Sequence, residues 1–179
     1  MDVEFSGLKL LETKTFYDSR GYFRETYRES NFDGESKVDF VQDNEALSNE
    51  AFILRGLHFQ KNPKAQAKLV RVVSGSIYDV VVDLRSKSST YGQWQGFTLS
   101  SETGASLFVP EGFAHGYLTL EKNTIVTYKV SSYYDPSSES GIIWNDADLG
   151  IDWPLNGGSP IVSDKDNLLP KFKDLGEIF

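Results

Sequence analysis

The chain has only two histidines, His58 and His115, and no cysteine. His58 lies in the run Arg55-Gly56-Leu57-His58-Phe59-Gln60 and is the candidate general base, because imidazole exchanges protons near neutral pH. A base also needs a partner that fixes its tautomer, and spacing alone does not identify one. On its own residues, a lone strand histidine is more often a hydrogen-bonded structural group than a base. Asp166 is equally open: it reads as a carboxylate in the first turn of a short helix, or as the partner of His58. Lys68 sits on a partly apolar strand face with Gln66, Val70 and Val72, which fits either a polar pocket or an edge strand. Tyr128, Tyr133 and Tyr134 are core aromatics or site phenols. His115 closes the run Val109 to Gly116, a turn feeding a strand, where ligand contacts often lie. The two histidines are far apart and form no H-x-H pair, so no metal centre is expected.

These side chains must be held by strands. Runs rich in Val, Ile, Tyr, Phe and Thr, broken by Gly, Pro, Ser or Asn, predict strands over Gly21 to Tyr27, Val38 to Glu45, Ile53 to Gln60, Gln66 to Val73 and Gly75 to Arg85. Others are predicted over Trp94 to Ser100, Ala105 to Val109, His115 to Leu120, Thr124 to Val130 and Ser140 to Trp144. One short helix is predicted over Ser163 to Leu169, capped by Ser163 with Asp166 three residues on. So many short strands in 179 residues imply an all-β sandwich or jelly-roll barrel, which can hold a ligand between its sheets. No repeat or linker divides the chain, so one domain over residues 1–179 is expected.

Strand parity makes two demands. In Gly75 to Arg85, Tyr78, Val80, Val82 and Leu84 alternate with Ile77, Asp79, Val81 and Asp83. One side should therefore meet core and the other water or a polar cavity. Arg55 and His58 differ in parity, so both face one cavity only if the strand bulges between them, and Gly56 is the suitable place.

A net charge of −8 disfavours binding to polymeric nucleic acid but leaves room for a small anion held by a few Arg and Lys side chains. No apolar stretch approaches the roughly 20 residues that span a bilayer. The N-terminus, Met1-Asp2-Val3-Glu4-Phe5, lacks the features of a signal peptide. With no cysteine present, a cytoplasmic address is expected.

Several ordered blocks carry a specific resemblance. They include Asp18 to Glu25, Phe40 to Asn44, Leu54 to Gln60, Gln66 to Arg71, Tyr91 to Trp94, Val109 to Gly116, Tyr128-Lys129, Tyr134 to Glu139, Trp144 to Asp146 and Gly150 to Pro154. From about Leu10 to Asp174 the chain resembles the dTDP-4-dehydrorhamnose 3,5-epimerase family. The resemblance implies a metal-free, cofactor-free cupin jelly roll, usually a homodimer formed partly by exchange of N-terminal strands. It implies conversion of dTDP-4-dehydro-6-deoxy-glucose to dTDP-4-dehydro-rhamnose. By motif, His58 matches the base, Asp166 its partner, Tyr128 the acid and Lys68 the group near the C4 oxygen. Arg20, Glu25, Gln42, Asn44, Arg55, His115, Glu139 and Lys165 match substrate contacts, and Tyr134 matches the aromatic stacked on thymine. Ala67 departs from the family, where glycine is common.

The implied chemistry suits these residues. A C4 ketone acidifies C3 and C5, and inversion needs a base on one face and an acid on the other. The enolate oxygen needs a preorganised positive group, and Arg20 and Arg55 suit pyrophosphate. No net redox change occurs, and no G-x-G-x-x-G run is present. The rivals are an epimerase acting at C3 or C5 only, a non-catalytic sugar-nucleotide-binding module, and a metal-dependent cupin oxygenase.

Overall fold

The computed structural model describes residues 5–32 and 37–179; the segment Met1 to Glu4, on which the signal-peptide expectation rests, lies outside them. The apolar runs form strands because branched and aromatic side chains pack well on a pleated surface. In chain order these are β1 (Lys9–Leu11), β2 (Thr15–Asp18), β3 (Gly21–Arg24), β4 (Gln42–Ser48), β5 (Ile53–Gln60) and β6 (Lys68–Ser74). There follow β7 (Ser76–Asp83), β8 (Trp94–Ser100), β9 (Ser106–Val109), β10 (Phe113–Thr119), β11 (Thr124–Val130), β12 (Glu139–Gly141) and β13 (Ile161–Val162).

One sheet runs β1-β9-β6-β11-β4 and the other β12-β5-β10-β7-β8, while β2 and β3 form a separate hairpin. Strand β13 joins β5 in parallel. The two large sheets stack as a jelly roll of the cupin type. Val70, Val72, Leu107 and Val126 of the first meet Ile77, Val81, Leu99 and Phe113 of the second in one buried cluster. The outer side of the second sheet, with Leu54, Leu57, Phe59, Val80 and Leu118, is covered by Ile142, Trp153, Phe172 and Phe179 from the C-terminal segment.

One side of β7 meets core as expected, and the other meets polar groups of the interior and not water. β7 is buried at every residue except the half-buried Tyr78, so neither side meets water. Asp79 is fully buried opposite His115. Asp83 is buried on hydrogen bonds from Arg85, Ser88 and Thr90. Burial alone would raise the pKa of Asp83, but these donors outweigh it and hold it at about 2.

Other strands match their predicted positions with end shifts. β4 begins later and ends later than predicted, and β12 is displaced towards Glu139. Strands β1, β2 and β13 were not predicted; they are short, with few buried residues to give a pattern. The helix α1 is one turn, Asp164–Asn167, shorter than predicted, with Ser163 at its N-cap.

Candidate active site

Strand β5 bulges where parity required it. Its register with β10 pairs His115 with His58 and Tyr117 with Arg55, so three steps along β5 match two along β10. Leu54 and Leu57 therefore share the covered outer side, while Arg55 and His58 line one cavity of about 290 Å³ between the sheets. Gly56 makes this possible. Its φ is +111°, and a Cβ there would sit 2.7 Å from the Gly116 Cα and 2.8 Å from the His115 carbonyl oxygen. Only a residue without a side chain fits that approach.

The bulge also exposes the Gly56 amide to a carboxylate. Asp166 Oδ2 accepts from Gly56 N at 3.1 Å, and Oδ1 lies 2.7 Å from His58 Nε2. Asp166 reaches them from α1, whose N-cap Ser163 takes the Asp166 amide at 3.1 Å. The first-turn reading and the partner reading of Asp166 thus hold together: the backbone serves the helix and the carboxylate serves β5. Burial pushes the Asp166 pKa up, but the bonds from His58 and Gly56 and the charge of Lys165 outweigh it and keep it below the usual value. An ionised carboxylate only accepts, so His58 Nε2 carries a proton, and in the neutral ring Nδ1 is the atom with the lone pair.

The opposite sheet supplies the remaining groups. Lys68 projects inwards on the same side of β6 as Val70 and Val72 and donates to the His58 carbonyl oxygen at 3.3 Å. β6 lies inside its sheet, so the edge-strand reading of Lys68 falls away. Burial lowers its pKa to about 8 against the pull of Asp79 and Glu139, leaving the ammonium form dominant at pH 7. Tyr128, on β11, packs beside Val126 and lines the same cavity. Burial raises the Tyr128 pKa, with Arg55 pulling it down and Glu139 up. The cavity therefore holds a fixed imidazole on one sheet and a protonated phenol on the other, with an ammonium group beside them.

Comparison with known proteins assigns the chain to a family. The family model described as dTDP-4-dehydrorhamnose 3,5-epimerase matches residues 2–174. The chain belongs to that family. It is an isomerase chain, not an oxygenase or a bare binding module. It is 51% identical over 166 residues to the dTDP-4-dehydrorhamnose 3,5-epimerase of Methanothermobacter thermautotrophicus, covering 92% of this chain and 89% of the other. The Bacillus anthracis epimerase, solved with TDP and PPi bound, superposes with TM-score 0.89 at 50% identity, over 96% of this chain and 97% of that one. The Legionella pneumophila epimerase, solved with dTDP-4-keto-L-rhamnose, gives TM-score 0.85 at 38% identity, over 96% and 97%.

Within this epimerase-family chain, most predicted residues converge. Gln42, Asn44, Gln60, Gln66, Tyr134 and Glu139 line an adjoining hollow of about 260 Å³ that shares His58, Lys68 and Tyr128 with the first. Gln42 Nε2 donates to Asn44 Oδ1 at 2.8 Å, and Gln42 Oε1 accepts from the Tyr134 amide at 3.2 Å. Glu139 Oε2 accepts from Tyr134 Oη at 2.8 Å and from Lys165 Nζ at 2.6 Å. Arg55 lines the first cavity and gives Nη2 to the Leu47 carbonyl at 3.2 Å.

Arg20 and Glu25 are not brought to this cavity. Arg20 is paired with Asp18 at 2.6 Å on the exposed β2–β3 hairpin. Glu25 is paired with Arg28 at 2.6 Å and lines a separate hollow of about 340 Å³ with Phe16, Phe23 and Phe32.

Two further residues, one behind the cavity and one lining it, were missed as site residues. Asp79 holds His115, with its oxygens 2.9 and 3.0 Å from Nε2. A carboxylate inside an apolar strand run was the available signal. Tyr117 lines the cavity two residues after His115; nothing in its flanking sequence separates it from a core aromatic. Among the described residues no three His, Asp or Glu side chains converge as metal ligands, and no helix is long and apolar enough to cross a membrane.

Proposed function

We propose that this single-domain chain epimerises C3 and C5 of dTDP-4-dehydro-6-deoxy-glucose, giving dTDP-4-dehydro-rhamnose through an enolate. The observation that carries the reading is the His58–Asp166 pair at 2.7 Å, on the opposite sheet from Tyr128 and in one cavity with it. His58 Nδ1 takes the proton from the carbon beside the ketone, and the electron pair moves onto the C4 oxygen. Lys68 stabilises the oxygen as it gains charge, a contribution that commonly amounts to roughly 3–4 kcal/mol. Tyr128 returns a proton to the other face of the same carbon, and the C4 carbonyl re-forms. Positioned acid–base catalysis of this kind contributes about 10²–10⁴-fold.

In this reading the nucleotide lies at the open end. Tyr134, 52% exposed, stacks on thymine, and Gln42, Asn44, Glu139, Lys165 and His115 complete the substrate contacts. Arg55 faces the pyrophosphate. Arg20 and Glu25 act on the site of a second copy in a homodimer, to which the exposed aromatics of their hairpin, Phe16, Tyr17, Tyr22 and Phe23, dock. The reaction needs no cofactor, and the enzyme works in the cytoplasm.

Incubation with the dTDP-4-keto-6-deoxy sugar tests the reaction, with product stereochemistry read from the ring-proton couplings. Inversion at both carbons, abolished in His58→Ala, is expected. Inversion at one carbon would make the chain a mono-epimerase, and none would refute catalysis on this sugar. Mixing Arg20→Ala with His58→Ala chains tests the shared site: heterodimers should regain activity, and a mixture no more active than its parts would contradict it.

A further inference from the structure

The depth of the cavity holds a phenol with no partner. Tyr117 lies on β10 between Arg55 of β5 and Asp79 of β7 and packs in the cluster between the sheets. It is 5% exposed, and its Oη is buried without a hydrogen-bond partner among the described residues. Two other hydroxyls share that condition, on Ser48 and Ser106, but neither lines the cavity that holds His58, Lys68 and Tyr128. Tyr117 does. A hydroxyl shut away from water without a partner costs stability, and phenylalanine fills nearly the same volume without that cost.

We infer that Tyr117 is a further substrate-binding residue, whose hydroxyl donates a hydrogen bond to an oxygen of the keto-sugar held between His58 and Tyr128. The inference rests on the epimerase reading above. Neighbouring polar groups are already engaged: His115 with Asp79, His58 with Asp166, and Arg55 with the Leu47 carbonyl. The Tyr117 hydroxyl is a buried donor with no protein partner. Burial pushes its pKa to about 12, with Arg55 pulling down and Tyr128 and Asp79 pushing further up. It therefore remains a donor at any pH where the enzyme works. Position assigns it to the sugar and not the nucleotide, since Tyr134 at the mouth is 52% exposed.

Tyr117→Phe removes only the oxygen. Relative to the unsubstituted chain, kcat/KM on the dTDP-4-keto sugar should fall about 10- to 100-fold, the range for one lost ligand hydrogen bond. Inhibition by dTDP alone, which lacks the sugar, should not change. The melting temperature of the free protein should hold or rise, because the hydroxyl has no protein partner to lose. A kcat/KM within threefold of the unsubstituted chain would overturn the inference alone. So would a loss accompanied by a lower melting temperature or weaker dTDP inhibition, the signature of a structural role. No turnover by the unsubstituted chain would overturn the epimerase reading and this inference with it.

Discussion

Replacing Asp166 with asparagine separates the tautomer of His58 from the hydrogen bond that sets it. Both oxygens of Asp166 accept, one from Gly56 N at 3.1 Å and one from His58 Nε2 at 2.7 Å. The Gly56 amide can only donate, so the oxygen of the new side chain must face it. That turns the amide nitrogen towards His58, and this nitrogen too can only donate. His58 Nε2 is then forced to accept, and the ring proton moves to Nδ1, the atom that must take the substrate proton. Loss of a charge-assisted hydrogen bond alone is about 1.5–3 kcal/mol, roughly 10- to 150-fold at about 1.4 kcal/mol per factor of ten. Locking a catalytic imidazole in the wrong tautomer costs about 10⁴-fold. Asp166→Asn should therefore lower kcat near 10⁴-fold. Asp166→Ala, which leaves both tautomers open to the ring, should lose less. Initial rates at saturating substrate, followed by NMR of the sugar ring, give both values. An Asp166→Asn chain within 100-fold of the unsubstituted protein, or faster than Asp166→Ala, would refute the tautomer reasoning.

Three further substitutions probe the other parts of the site. Lys68→Met should lower kcat roughly 10²–10³-fold, as loss of a preorganised donor does, yet raise the melting temperature at pH 7. The folded chain holds Lys68 at about 8 against an ordinary 10.5, so between those values it binds fewer protons than the unfolded chain, and stability rises with pH. The advantage of the variant should shrink across that window in calorimetry, and a constant advantage from pH 7 to 10.5 would contradict the burial cost. Gly56→Ala must fit a Cβ 2.7 Å from the Gly116 Cα at a φ of +111°, and should lose about 2–6 kcal/mol from backbone strain and overpacking; an unchanged urea midpoint would argue against a required bulge. Tyr134→Ala should raise KM with kcat retained, by about 5- to 150-fold if the ring stacks on a base, and an unchanged KM would remove Tyr134 from the nucleotide contact.

How much of this was legible in the sequence depended on what each residue's signal measured. Ile53 to Gln60, Trp94 to Ser100 and Thr124 to Val130 form strands with the predicted ends, because their apolar runs are flanked by clear turn residues. Parity in β5 required a bulge at Gly56, and the register shift opposite His115 and Tyr117 is that bulge. Parity in β7 separated the two sides but could not choose between water and a polar interior: Val80 and Val82 lie on the core side under the C-terminal segment, while Asp79 on the other side is held by His115. Asp166 could not be paired with His58 from spacing, because 108 residues separate them and only the fold closes that distance. The family resemblance implied the pairing instead. Tyr117 stayed hidden for a different reason: a buried tyrosine is unremarkable until its hydroxyl is found without a partner.

The central claim is that His58 and Tyr128 exchange protons at carbons on both sides of the C4 ketone. Incubation with the dTDP-4-keto-6-deoxy sugar in D₂O, followed by NMR at C3 and C5, tests it most directly. Deuterium should enter both positions, and His58→Ala should stop it at both. Deuterium at neither position, or full exchange by His58→Ala, would contradict the assignment of His58 as the base.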